Sequence, residues 1–170
     1  MKIGIVYGST TGNTEEAAVD IQNELNGRVD DIHEVIGLDL SVLTEFDVLL
    51  VGVPTWDIGQ LEENWERAVG DLQAHDFTGI QVAFFGEGDQ FGYPDNFQDA
   101  LGILRDRFVA LGAEANIGHW PIDGYEFDQS KGVIADQFVG LALDSFQQPE
   151  LHDERIQRWV EQVLTELGLA

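Results

Sequence analysis

One apolar stretch, VLLVGV at residues 48–53, constrains the fold more than any other part of the chain. Its unbroken run of apolar and small residues, ended by Pro54, predicts a strand that is buried on both faces. Similar runs lie at residues 3–7 and 82–85, and amphipathic patterns with helical spacing lie between and after them. Continuous apolar strands that alternate with such helices predict a parallel sheet covered by helices on both faces.

The alternation breaks near the end of the chain. A fifth strand is predicted to start at residues 115–119, yet a second apolar run lies at residues 138–143. The segment between them, WPIDGYEFDQSKGVIADQ, has no clear period. We therefore expect an insertion that splits the last strand of a single domain, which spans residues 1–170.

Composition excludes several classes of function. The 8 basic and 32 acidic residues give a formal net charge of −24, which opposes binding to nucleic acid or to an anionic membrane. The charge has two interpretations, solubility with adaptation to salt or long-range steering toward a basic partner. The chain has no cysteine and four scattered histidines, so we expect no metal site. The absence of a signal peptide and of a long apolar segment predicts a cytoplasmic protein.

Three loops follow predicted strands, at residues 8–14, 54–60 and 86–95. In an open α/β sheet the carboxyl ends of the strands share one edge, where ligands bind. The first loop lacks the spacing and the lysine of a nucleotide-triphosphate loop. It precedes a helix, and its glycines and hydroxyl groups suit a single phosphate. Its hydroxyl residues are Ser9, Thr10, Thr11 and Thr14. The alternative is a purely structural turn, in which Asn13 or Thr14 caps the helix.

The second and third loops carry aromatic residues in turns. Trp56 lies in the second loop, and Phe91 and Tyr93 lie in the third. A single aromatic residue in a loop is commonly a packing or surface residue. Two of them, on separate loops beside an anion site, can instead enclose a flat ring.

The three loop sequences STTGNT, PTWDIG and GEGDQFGYPDNF together resemble those of the flavodoxins. The segment HWPIDGYEFDQSKGVIADQFVGLALD is similar to the inserted loop of the long-chain branch of that family. The resemblance extends over essentially the whole chain. It implies a three-layer α/β sandwich, with a five-stranded parallel sheet in the order 2-1-3-4-5, helices on both faces and an insertion in the fifth strand. It also implies a low-potential one-electron carrier with noncovalently bound FMN and no substrate chemistry of its own.

Carried over by position, the resemblance implies a set of cofactor-binding residues and no catalytic ones. The FMN phosphate would lie in the first loop, at Ser9, Thr10, Thr11, Gly12, Asn13 and Thr14. The second loop would cover one ring face with Trp56, after Thr55, and would contact the flavin edge with the backbone of Asp57, Ile58 and Gly59. The third loop would contribute Gly86, Glu87, Gly88 and Asp89 beside the pyrimidine ring, with Tyr93 on the other ring face. On the ribityl side the implied contacts are Asn96 and Asp144.

Asp57 and Glu87 depart from the flavodoxin pattern, which frequently has asparagine and threonine at these positions. Asn13 stands where lysine sometimes occurs. Because the fully reduced flavin is anionic, both carboxylates are expected to lower the second reduction potential.

Acidic residues around the loops are expected to flank the flavin edge and to meet basic docking patches on redox proteins. These residues are Asp57, Glu62, Glu63 and Asp95. The expected partners are an NADPH-dependent flavodoxin reductase and a low-potential acceptor, and the carrier itself is expected to be a monomer.

Two other classes of protein share this type of fold. A quinone reductase-like flavoenzyme needs an opening for its substrate, and aromatic cover at Trp56 and Tyr93 argues against one. A phosphorylation-dependent receiver domain needs carboxylates after the first and third strands. Tyr7-Gly8 and Val53-Pro54 stand there instead.

Overall fold

The computed structural model describes residues 1–56 and 58–170, so the predicted site residue Asp57 lies outside the described part of the chain. In chain order the strands are β1 (Ile3–Tyr7), β2 (Asp31–Glu34), β3 (Val48–Trp56), β4 (Gln60–Leu61), β5 (Gln81–Glu87), β6 (Trp120–Pro121), β7 (Val133–Ile134), β8 (Gln137–Phe138) and β9 (Leu141–Leu143). The α-helices are α1 (Asn13–Glu24), α2 (Glu63–Leu72), α3 (Asp99–Ala110) and α4 (His152–Glu166). Short 3-10 helices lie at Leu40–Glu45 and Pro149–Leu151.

Five strands form a parallel sheet in the order β2-β1-β3-β5-β9. This confirms the predicted order 2-1-3-4-5. The short strand β4 pairs antiparallel with the last two residues of β3. From β1 the sheet continues with β2 toward one edge, and from β3 it continues with β5 and β9 toward the other edge. This reversal of direction between β1 and β3 opens a crevice at the carboxyl ends of the strands.

Alternate residues of β3 belong to two separate cores, one on each face of the sheet. Leu49 and Val51 pack in the core that contains Trp65 of α2, whereas Leu50 packs in the core that contains Trp159 of α4. Both tryptophans are fully buried. The prediction of a strand buried on both faces is confirmed.

The fifth strand is split, as predicted, but its first half is much shorter than expected. Glu114 forms a single parallel bridge with Gln81, and residues 115–119 are not a strand. The prediction of a strand at residues 115–119 is therefore wrong. Gly118 adopts a φ of 72°, its N–H donates to Glu166 Oε2 at 2.7 Å, and its carbonyl accepts from Trp159 Nε1 at 2.8 Å. Side chains of α4 thus take the backbone groups that a neighbouring strand would need.

The inserted segment forms a small antiparallel sheet in the order β6-β8-β7, and Tyr125 anchors it to β9. The Tyr125 hydroxyl donates to the Ala142 carbonyl at 2.5 Å and accepts from Trp120 Nε1 at 2.8 Å. The Arg155 guanidinium lies 4.1 Å from the centre of the Tyr125 ring. Burial raises the pKa of Tyr125 to about 12, so this hydroxyl remains a donor across the neutral range.

Within the described residues, the helices are all too short or too polar to cross a membrane.

Candidate functional site

All three predicted loops meet in one pocket of about 500 Å³ at the carboxyl edge of the sheet. A volume of this size suits a ligand the size of a nucleotide. The lining residues from the predicted loops are Thr11, Asn13, Pro54, Thr55, Trp56, Glu87, Gly88, Asp89 and Tyr93. The tenth lining residue, Phe146, follows β9 and was not predicted.

The first loop leads into α1, which begins without a side-chain cap. Gly12 precedes the helix with a φ of 91°, and its N–H donates to Ser9 Oγ at 3.1 Å. The N–H groups of the first helical turn have no intrahelical partner. Thr14 is 1% exposed, and its Oγ1 has no hydrogen-bond partner among the described residues. This contradicts the alternative in which Thr14 caps the helix. A buried, unpaired hydroxyl beside free N–H groups fits a bound phosphate.

The hydroxyl of Thr10 donates to Glu62 Oε1 at 2.8 Å. Glu62 also caps α2, where its carboxylate accepts from the N–H groups of Asn64 at 3.0 Å and Trp65 at 3.3 Å. Its exposed fraction is 0%. The prediction of Glu62 as a docking residue on the surface is therefore wrong, because cap and loop contacts hold its carboxylate inside. The neighbouring Glu63 is exposed.

The second loop joins β3 to β4 and places Trp56, which is partly exposed, at the pocket. Gly59 has a φ of 87°, and its N–H donates to the Trp56 carbonyl at 3.1 Å. Ile58 is 73% exposed. The Thr55 hydroxyl accepts a hydrogen bond of 3.1 Å from a backbone N–H in the first turn of α3, which holds the end of β3 in place.

The third loop is shaped by Asp89, whose Oδ1 accepts from the N–H groups of Phe91 at 3.1 Å and Gly92 at 2.8 Å. The resulting turn presents Tyr93, which is 44% exposed, to the pocket. The Gly88 N–H donates to a carbonyl of β9 at 3.0 Å, so this group is already paired. Of the two polar groups of the Gly88 backbone, only the carbonyl remains for a ligand.

The remaining predicted residues lie beside the pocket with their polar groups in internal contacts. Asn96 Nδ2 donates to a carboxylate of α3 at 3.2 Å. The Gly86 carbonyl accepts a side-chain amide at 3.1 Å. Asp144 is 2% exposed and accepts from the backbone and the side chain of Gln90 and from the Phe146 N–H, all within 3.1 Å. These contacts hold the third loop against the segment that follows β9.

Phe146 is the pocket residue that sequence reasoning missed. It is 66% exposed, in a turn that the Asp144 carboxylate shapes directly after β9. The signal was present, because an aromatic residue in a turn after a strand is the pattern that selected Trp56 and Tyr93.

Glu87 ends β5 and lines the pocket with 4% exposure. Its carboxyl accepts from the Ser145 N–H at 3.2 Å and the Ser145 hydroxyl at 2.9 Å. Burial raises the pKa of Glu87 to about 7, Asp144 adds to this rise, and the Ser145 hydrogen bonds and His152 oppose it. At neutral pH the group is therefore partly protonated, whereas the sequence suggested a full additional charge.

Within residues 1–56 and 58–170, His152 is the one histidine that the fold brings close to several carboxylates. Its Nε2 lies 2.9 Å from Asp20 Oδ2, and the candidate ligand atoms of Asp20, His152 and Asp153 lie within 4.8 Å of one another. The Asp20 contact joins α1 to α4.

A doubly wound parallel sheet with an aromatic-rimmed pocket beside an uncapped helix at its switch point defines a flavodoxin-like protein. The flavodoxin family model matches residues 5–159. The chain is 47% identical to the flavodoxin of Synechococcus elongatus over 169 residues, covering 99% of both chains. It is 46% identical to that of Klebsiella pneumoniae over 168 residues, covering 98% of this chain and 95% of the relative.

The structure of Fusobacterium nucleatum flavodoxin bound to flavin mononucleotide aligns with a TM-score of 0.88 at 30% identity, covering 97% of this chain and 98% of that one. The chain belongs to the flavodoxin family, which confirms the resemblance and the fold class.

We predict a pH-dependent gain in stability for Glu87→Gln in the apoprotein. The pKa of Glu87 rises from 4.5 to about 7 on folding, so the folded state binds more protons between these values. The stability that this group contributes is present below pH 4.5 and is lost as the pH rises through 7. Urea unfolding should show that the variant gains about 2–3 kcal/mol over the parent chain between pH 5 and pH 8.

The control is Glu66→Gln, which removes an exposed carboxyl. A pH-dependent gain of the same size in this control, or a constant difference for Glu87→Gln, would contradict the assignment.

Proposed function

We propose that this flavodoxin carries single electrons between redox proteins on one noncovalently bound FMN in the pocket described above. The proposal rests on two neighbouring features. The first is the buried Thr14 hydroxyl at the uncapped start of α1, which has no hydrogen-bond partner among the described residues, and the second is the adjacent pocket rimmed by aromatic side chains. The first feature fits a phosphate and the second fits a flat ring. FMN, when bound, supplies the one-electron chemistry, and the protein binds, orients and tunes it.

The proposed phosphate site uses neutral donors. Ser9 fixes the turn at Gly12, and the hydroxyls of Thr11 and Thr14 join the N–H groups of the first turn of α1. Many fixed N–H and O–H dipoles can hold an anion without a basic side chain. A chain with a net charge of −24 can therefore bind a phosphate.

The proposed ring site lies between Trp56 and Tyr93, with Phe146 completing the rim. Because Tyr93 and Phe146 are 44% and 66% exposed, a ring held there stays close to the protein surface. This suits electron exchange with a docked protein. The family relatives are named as flavodoxins, so the flavoenzyme alternative is not favoured.

We also propose that the chain is one domain and acts as a cytoplasmic monomer. Its partners are redox proteins with basic docking patches, such as an NADPH-dependent flavodoxin reductase and a low-potential acceptor. The exposed carboxylates of Glu63 and Asp95, with the net charge of −24, support attraction to such patches.

The cofactor proposal predicts one FMN per chain in the supernatant of the denatured protein. FAD there would contradict it. Thr14→Val keeps the buried shape and removes the unpaired hydroxyl, so it should weaken FMN binding about tenfold while riboflavin binding stays nearly unchanged. Titration of the apoprotein with each flavin measures this.

The control for this titration is Thr44→Val, because Thr44 is exposed and its hydroxyl donates to the Ser41 carbonyl. Equal losses for FMN and riboflavin in Thr14→Val would show that Thr14 does not contact the phosphate.

The Glu87 carboxyl should tune the second one-electron reduction potential in a pH-dependent way. Above pH 7 its charge opposes a second electron on the cofactor, and below pH 7 protonation removes that charge. Glu87→Gln should therefore raise this potential by on the order of tens of millivolts at pH 8 and by less at pH 6. Redox titrations at both pH values test this, and an equal shift at both would contradict it.

Electrostatic docking predicts that the second-order rate of electron transfer from a reductase falls as ionic strength rises. Glu63→Gln and Asp95→Asn should each lower the rate at low salt. The matched control is Glu24→Gln, at the exposed far end of α1. A rate that is flat or rising with salt, or an equal loss in the control, would leave adaptation to salt as the explanation of the charge.

A further inference from the structure

Glu62 is a fully buried glutamate in direct contact with the proposed phosphate loop. Its carboxylate lies under the start of that loop, since a Cβ added to Gly8 would come within 2.6 Å of Glu62 Oε2. Its exposed fraction is 0%, whereas the next residue, Glu63, is exposed. The contacts of Glu62 explain how the fold keeps a carboxylate this close to a proposed anion-binding site.

Three groups of the described residues donate hydrogen bonds to the Glu62 carboxylate. The Thr10 hydroxyl and the Asn64 N–H donate to Oε1 at 2.8 and 3.0 Å, and the Trp65 N–H donates to Oε2 at 3.3 Å. A carboxylate can only accept hydrogen bonds, and a threonine hydroxyl has one proton to give. While Thr10 donates to Glu62, it has no proton left for a phosphate oxygen. The loop therefore has one donor fewer than its sequence suggests.

We infer that Glu62 determines how strongly this loop prefers a phosphorylated flavin, because it takes the Thr10 proton and places a carboxylate against the start of the proposed phosphate loop. The inference rests on the proposed FMN site. A neutral amide of the same shape would reverse both effects. With its NH2 group in the place of Oε1, the amide can donate to the Thr10 oxygen, which leaves the Thr10 proton free for the phosphate, while its oxygen in the place of Oε2 accepts from the Trp65 N–H. The Asn64 N–H, which donates to Oε1 in the parent chain, gives up that acceptor.

The test is a double-mutant cycle on the apoprotein with Glu62→Gln, Thr10→Val and the two combined. Dissociation constants are measured for FMN and for riboflavin, and the readout is the ratio between them. Glu62→Gln should shift the ratio about tenfold toward FMN. Thr10→Val should cancel most of that gain in the Glu62→Gln background and change the ratio much less in the parent chain.

The matched control is Glu66→Gln, which removes an exposed carboxylate from the next turn of α2. It should leave the ratio close to that of the parent chain. An unchanged ratio or a shift toward riboflavin in Glu62→Gln would overturn the inference. If Glu62→Gln still shifts the ratio toward FMN in the Thr10→Val background, release of the Thr10 proton is not the cause of the shift, and that part of the inference is overturned.

Failure of the inference is distinct from failure of the proposed function. A parent chain that binds neither flavin refutes the function, whereas normal FMN binding with an unmoved ratio refutes only the role of Glu62. If Glu62→Gln does not refold, Thr10→Val and Thr11→Val in the parent chain decide the matter. Thr11→Val must then lower the preference for FMN more than Thr10→Val does, and the opposite order would overturn the inference.

Discussion

The carbonyl oxygen of Gly52 joins the first loop of the site to the helix that follows the second loop. It accepts the Gly8 N–H at 3.1 Å and the indole Nε1 of Trp65 at 2.8 Å. A side chain at Gly52 would collide with Phe85 and would come within 3.1 Å of the Thr14 methyl group. The phosphate loop, β5 and the helix after the second loop can approach each other only because this position has no Cβ. The order with β1 and β5 on either side of β3 is what brings them there.

Much of the fold could be predicted because it depends on local patterns. The run at residues 48–53 predicted a buried strand, and parallel strands necessarily bring the following loops to one edge. Long-range contacts could not be predicted in this way. Glu62 and Glu63 are adjacent and identical in type, yet only Glu62 is buried, and its partner Thr10 lies 52 positions earlier. At residues 115–119 the sequence has strand character, but α4 takes the backbone hydrogen bonds.

Glu62 and Glu87 are buried carboxyl groups beside a site proposed for an anionic cofactor, and the fold stabilises them in different ways. Three donors surround Glu62, so its carboxylate exchanges water for fixed hydrogen bonds. In the described part of the chain Glu87 has a single hydrogen-bond partner residue, Ser145, and burial raises the pKa of Glu87 to about 7 instead. In the proposed site, Glu62 takes a hydrogen-bond donor from the phosphate end of the pocket, and Glu87 places a pH-dependent charge at the ring end.

This separation indicates how one small protein can set affinity and potential independently. In the proposed site, a change at Glu62 is expected to alter contacts to the phosphate, which is chemically the same in every redox state of a flavin. A change at Glu87 is expected to alter the field at the ring, where charge accumulates on reduction. The carboxylates of Glu63 and Asp95 are exposed, and in the proposed function they attract a basic partner at long range. Negative charge is therefore proposed to have three distinct effects in this protein. Glu62 is buried and hydrogen-bonded to three donors, Glu87 is buried with a pKa of about 7, and Glu63 and Asp95 are solvated.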